Sequence, residues 1–121
     1  MQPSILSCDP GEEFLTEERC HITELSNSPA DQALSVALAR VEPGVATRWH
    51  RLRDTTERYV ILSGHGLVEV GELPPRIVAR NDVVVIPPGC RQRITNCGTE
   101  DLVFHALCTP RFRAAAYEDS E

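Results

Sequence analysis

Apolar residues in this chain recur at every second position over short runs, and turn-forming residues interrupt the runs at close intervals. Nine segments read as strands: 19–25, 34–42, 47–52, 58–62, 66–70, 76–79, 83–86, 91–95 and 102–108. Between them lie Asn27-Ser28-Pro29, Pro43-Gly44, Gly64-His65-Gly66, Leu73-Pro74-Pro75, Asn81-Asp82, Pro87-Pro88-Gly89, Asn96-Cys97-Gly98 and Thr109-Pro110. A period of two sends successive side chains to opposite faces of a strand. Many short β-branched runs at regular spacing predict an all-β sandwich or barrel with antiparallel strands. Segments 12–18 and 113–118 are each long enough for only one or two helical turns. The chain divides into an N-terminal extension (1–18), a β-barrel domain (19–110) and a C-terminal tail (111–121).

A length of 121 residues, 41% of them hydrophobic, supports one core and one domain. Net charge is -6, and all 12 basic residues are arginine. No basic cluster stands apart from acidic neighbours, so the counterion release that drives nucleic-acid binding has no source. An anionic membrane surface would repel the chain for the same reason. No apolar run reaches membrane-spanning length. The first nine residues have neither a basic start nor the apolar stretch of a secretory signal, so a cytoplasmic address is expected. The five cysteines form no CxxC pair and read as small, mostly buried hydrophobes.

Chemistry concentrates between Pro43 and Gly66. Arg48, His50 and Leu52 share one strand face, and Glu57, Tyr59 and Ile61 share a face of the next strand. If His50 and Glu57 both point into a barrel, an imidazole and a carboxylate meet in an apolar interior. A buried carboxylate is costly unless paired, protonated or bound to a cation. A divalent metal would offset that cost and use both groups as ligands.

The spacing Gly44-x5-His50-x-Leu52-x4-Glu57-x6-Gly64 resembles the first cupin motif, Gly-x5-His-x-His-x3,4-Glu-x6-Gly. Asn81-x5-Pro87-x-Gly89-x2-Gln92-x3-Asn96 resembles the second, Gly-x5-Pro-x-Gly-x2-His-x3-Asn. Every spacing is kept, while Leu52, Asn81 and Gln92 replace a His, a Gly and a His. The resemblance implies a single-domain cupin jelly-roll barrel and, since single-domain cupins commonly pair, a homodimer. Carried over position by position, it implies a divalent metal cation held by His50, Glu57 and Gln92, with Leu52 unable to ligate. Three protein ligands would leave open positions for water and substrate. One His, one Glu and one Gln nevertheless fall short of the two-His-one-carboxylate set of non-haem iron oxygenases.

Two functions follow. In the first, a metal-dependent enzyme with isomerase- or lyase-type chemistry acts on a small polar organic molecule, and Glu57 is the catalytic proton carrier. In the second, the barrel is a non-enzymatic metabolite binder without a functional metal, in which Gln92 hydrogen-bonds His50 or Glu57. Three further residues are candidates for substrate contact. Tyr59 shares the face of Glu57, and Arg48, on the face of His50, is placed to pair with a substrate carboxylate. His105, in a final strand whose two faces both look apolar, would supply the missing imidazole if it points inward.

Overall fold

The computed structural model describes all 121 residues. Eleven strands follow in order: β1 (Phe14–Leu15), β2 (His21–Ser26), β3 (Ser35–Val41), β4 (His50–Leu52), β5 (Thr56–Ser63), β6 (Gly66–Val70), β7 (Arg76–Val78), β8 (Val83–Ile86), β9 (Gln92–Asn96), β10 (Leu102–Thr109) and β11 (Tyr117–Asp119). They build two antiparallel sheets in the order β1-β2-β3-β10-β5-β8 and β11-β4-β9-β6-β7. This is the all-β jelly-roll arrangement that the sequence pattern predicts, and all nine expected strands are present.

The alternation of the sequence is what packs the two sheets together. Along β10, Leu102, Phe104, Ala106 and Cys108 are buried while the residues between them are half-exposed. Val41, Ile61, Ile86, Ile94 and Leu102, at most 1% exposed, form the centre of the core between the sheets. Each such side chain removed from water stabilises the fold by about 1.5–3 kcal/mol.

Several motif residues serve the scaffold. Gly64 has φ +84, and a Cβ there would lie 2.6 Å from the Asp101 carbonyl oxygen, so no larger residue fits. Asn81 has φ 74, a left-handed conformation that asparagine tolerates, so the turn survives the loss of the glycine usual at this position. Asn96 is 1% exposed; its amide donates to the Val41 and Glu100 carbonyls and its oxygen accepts from the Gly98 N–H. It thereby fastens the end of β9 to β3.

The ends of the chain differ from expectation. Instead of a helix over 12–18, a single 3-10 turn at Pro10–Glu12 leads into β1, which pairs with β2. Over 113–118, a 3-10 turn at Ala114–Ala116 is followed by β11, which pairs with β4. Unpaired backbone groups at a sheet edge recruit any adjacent extended segment, and two or three residues are too few for a local helix to compete. Extension and tail therefore each give the sheets a strand. No helix in the molecule is long and apolar enough to cross a membrane.

Candidate functional site

Strand register brings four polar side chains to one point inside the core. His50 on β4 lies directly opposite Gln92 on β9, so both project from the five-stranded sheet. Glu57 and Tyr59 project from β5 in the facing sheet, where Cys108 on β10 is the partner of Glu57. Gln92, His50, Tyr59 and Glu57 are 1%, 3%, 5% and 9% exposed.

Three of these groups form a hydrogen-bonded chain. The Tyr59 hydroxyl donates to Gln92 Oε1 at 2.6 Å, and Gln92 Nε2 donates to Glu57 Oε1 at 3.1 Å. The Cys108 thiol lies 3.6 Å from Glu57 Oε2. Both ends of the Gln92 amide are thus occupied, and its orientation is fixed by having a phenol on one side and a carboxylate on the other.

His50 stands beside this chain. Its Nδ1 lies 2.7 Å from the Arg48 carbonyl oxygen, which can only accept, so Nδ1 carries a proton and Nε2 is the ring nitrogen left to face the cluster. The ring stacks on Tyr117 with centroids 5.2 Å apart and planes 20° apart. Nε2 lies 3.6 Å from Glu18 Oε2, beyond hydrogen-bonding distance but well within Coulombic reach.

Glu18 is placed by the tight turn 16–20. The Cys20 carbonyl accepts from both the backbone N–H and the hydroxyl of Thr16, and Arg19 adopts φ 70. The Glu18 carbonyl in turn accepts from the Arg48 N–H, which binds the turn to the segment leading into β4. Burial raises the Glu18 carboxyl above its ordinary range, against the pull of His50. Burial raises Glu57 likewise; His50 lowers it, while the neighbouring charge of Glu18 raises it further. The pair therefore resists double ionisation, as two carboxylates sharing one site do.

Space adjoins the cluster. A cavity of about 140 Å³ is bounded by Phe14, Glu18, Ile22, Glu57, Ala106 and Phe112. A smaller void of about 30 Å³ lies between Glu18, His50, Glu57 and Tyr59. Outside, a wide mouth is formed by Thr16, Glu18, Arg48, Phe112, Tyr117 and Asp119. Glu18 is a wall of all three spaces.

The expected metal set can be tested against this arrangement. His50, Glu57 and Gln92 do converge, but the one Gln92 atom able to ligate is engaged by Tyr59, and Glu57 Oε1 accepts from Gln92 while burial raises its carboxyl above the ordinary range. Leu52, 3% exposed, occupies the buried strand position two residues from His50 where the motif has its second imidazole. No group of three His, Cys, Asp or Glu side chains is gathered closely enough to hold an ion. As arranged, the donor set does not fit a divalent cation, because Gln92 Oε1 and Glu57 Oε1 already accept from Tyr59 and Gln92, and only His50 Nε2 is left free.

Of the other expected residues, Tyr59 is in the cluster. Arg48 is not free to receive a substrate carboxylate: it lines the mouth, but its guanidinium makes a two-pronged pair with Asp119 at 2.9 and 3.2 Å. His105 lies on the outer face of β10, opposite in phase to Phe104 and Ala106, and across the strands from Leu38 and Val60. It does not replace the missing imidazole; strand phase decides the matter where composition could not. The sequence reading missed Glu18, Cys108 and Tyr117. Glu18 is one of five glutamates between positions 12 and 24, and nothing in its local pattern separates it from the rest.

A family model described as a Cupin domain matches residues 37–109, more than half of the chain. No curated protein matches by sequence. Among solved structures, one similar fold is a variant of Streptomyces Pac13, a nucleoside dehydratase, with uridine. The TM-score is 0.79 at 15% identity, over 100% of this chain and 93% of that one. KdgF from a Halomonas species gives 0.77 at 17% identity, over 90% and 96%. A conserved double-stranded β-helix protein of Klebsiella pneumoniae gives 0.72 at 16%, over 100% and 85%. At such identities the likeness extends to the fold.

Proposed function

The chain belongs to the Cupin domain family, and we propose that its barrel binds a small, uncharged, hydroxyl-bearing molecule and moves protons on it without a resident metal. The observation that carries this reading is the meeting of an oriented imidazole with two largely buried carboxyls beside an open cavity: His50 Nε2, Glu18 and Glu57. An imidazole and a carboxyl whose hold on its proton is strengthened by burial can serve as base and acid. A lyase-type elimination of water suits this set. His50 Nε2 accepts a C–H proton as the electron pair forms the new double bond. The C–O bond breaks, and a carboxyl proton from Glu18 or Glu57 leaves with the hydroxyl as water. Tyr59 and Gln92 hold Glu57 in place.

The charge of the cavity supports the choice of ligand. Its lining includes Glu18, Glu24 and Glu57, and the Arg48 charge at the mouth is balanced by Asp119. The cavity lining offers an anionic ligand no cationic side chain to pair with. That a structural neighbour acts on a nucleoside makes nucleosides the first class to test. A second reading, a binder without turnover, is favoured by the closed hydrogen-bond chain from Tyr59 through Gln92 to Glu57, which needs no reaction to explain it. Homodimerisation belongs to the same proposal and is supported by the apolar outer face of the six-stranded sheet.

Uridine and neutral monosaccharides, each incubated with the protein in EDTA and followed by proton NMR, test the reading. A ligand that binds and is dehydrated by the wild type, and that His50→Gln binds without converting, is the expected result. Binding without conversion by the wild type selects the second reading. Failure of every neutral ligand to bind refutes both.

A further inference from the structure

We infer that a second concavity, outside the barrel, is a binding site for a small oxyanion such as the phosphate or carboxylate group of a metabolite. It has a volume of about 310 Å³ and is lined by Arg53, Asp54, Thr55, Arg111 and Arg113, among others. The arginines come from two separate stretches of chain, the turn between β4 and β5 and the segment that follows β10. Three guanidiniums against the one carboxylate of Asp54 leave the concavity positive in a chain whose net charge is -6.

Most arginine charge elsewhere is spent in ion pairs, but here much of it is not. Arg53 is 3.3 Å from Glu118 and also donates to the Ala115 carbonyl at 2.7 Å. Arg111 Nη1 donates to Asn27 Oδ1 at 3.0 Å, and Arg113 Nη2 to Gln32 Oε1 at 3.1 Å. Both of those acceptors are neutral. Arg111 Nε is the one buried side-chain nitrogen or oxygen in the molecule with no hydrogen-bond partner. Buried donors without acceptors are rare because they forfeit water and gain nothing. A guanidinium presents two parallel N–H groups, a geometry that phosphate and carboxylate oxygens match. Arg111 Nη2 and Arg113 Nε and Nη1 have no protein acceptor either, and an oxyanion in the concavity would be the acceptor they lack. The Thr55 hydroxyl is not part of it, because it donates to the Arg53 carbonyl at 2.8 Å.

The site is separate from the barrel cavity. Phe112, between the two arginines in sequence, lines the barrel mouth and cavity, whereas Arg111 and Arg113 line the outer concavity. The inference therefore stands independently of the proposed reaction.

Calorimetric titration with inorganic phosphate and, separately, acetate, at ionic strength fixed with chloride, tests it. Wild type binds at least one of the two, the tighter identifying the group recognised. Arg113→Gln, at an exposed position whose loss leaves the fold intact, weakens binding about tenfold, the effect of removing a charge-assisted hydrogen bond. Arg111→Lys, which keeps the charge but not the fork, weakens it as well. Absence of binding above the chloride background, or equal affinity in wild type and Arg113→Gln, overturns the inference.

Discussion

At the scale of single residues, the site is a set of polar groups whose burial is made tolerable by their neighbours. Glu57 illustrates the balance. A carboxyl held above its ordinary value of 4.5 by burial contributes stability that is complete below about pH 4.5 and lost as the pH rises through its folded value. Glu57→Gln removes that loss, so its melting temperature relative to wild type rises between about pH 4 and about pH 8. A gap that stays constant or changes sign over this range contradicts the assigned environment. Measuring the difference is necessary because Glu13, Asp119 and Glu121, lowered by their arginine or backbone partners, push the pH dependence the other way in both proteins. Strand phase alone put His50 and Glu57 together only if both face inward; it was the resemblance to the cupin motifs that implied convergence of His50, Glu57 and Gln92. Neither revealed that Gln92 accepts from Tyr59, because a hydrogen bond across two sheets depends on how far apart they pack. Glu18 and Tyr117 were illegible for a related reason: tertiary docking of the two chain ends brings them to His50.

At the scale of elements, turns hold the strands in the register that forms the site. Gly64 begins the return from β5 to β6 against the backbone at Asp101 and Leu102. Gly64→Ala should cost about 2–4 kcal/mol, combining left-handed strain with a clash that backbone atoms cannot easily relieve. Denaturant unfolding measures it; a loss within 0.5 kcal/mol of zero would show that the turn is softer than its geometry indicates. Nine strands were legible because each is a run of four or more residues, most of them alternating, bounded by turn residues. β1 and β11 were not, since two or three residues carry no period and pair only because an edge is available. The short β11 matters for function all the same: it positions Tyr117 against His50, and its Asp119 neutralises Arg48.

At the scale of the whole molecule, the six-stranded sheet has two different faces. Its inner face builds the core and cavity. Its outer face carries a row formed by Leu38, His105, Val60 and Val83, and a neighbouring row of Val36, Leu107, Arg58 and Val85. Val83 and Val85 are 55% and 52% exposed. A broad apolar sheet face of this kind favours association with its own copy. Sedimentation velocity at micromolar concentration should show a dimer for wild type and a monomer for Leu38→Glu; a wild-type monomer, or a variant that stays dimeric, removes this face from the account. The central claim concerns the inner face, where we propose that a barrel with a metal-binding pattern uses its would-be ligands for proton transfer instead. Metal analysis by mass spectrometry, on protein purified without chelators, addresses this most directly when wild type is compared with the double variant Leu52→His, Gln92→His. Wild type should hold far less than one divalent ion per chain, and the double variant, with imidazoles in both vacated motif positions, should gain one. A stoichiometric ion in wild type that is lost in His50→Ala would contradict the account.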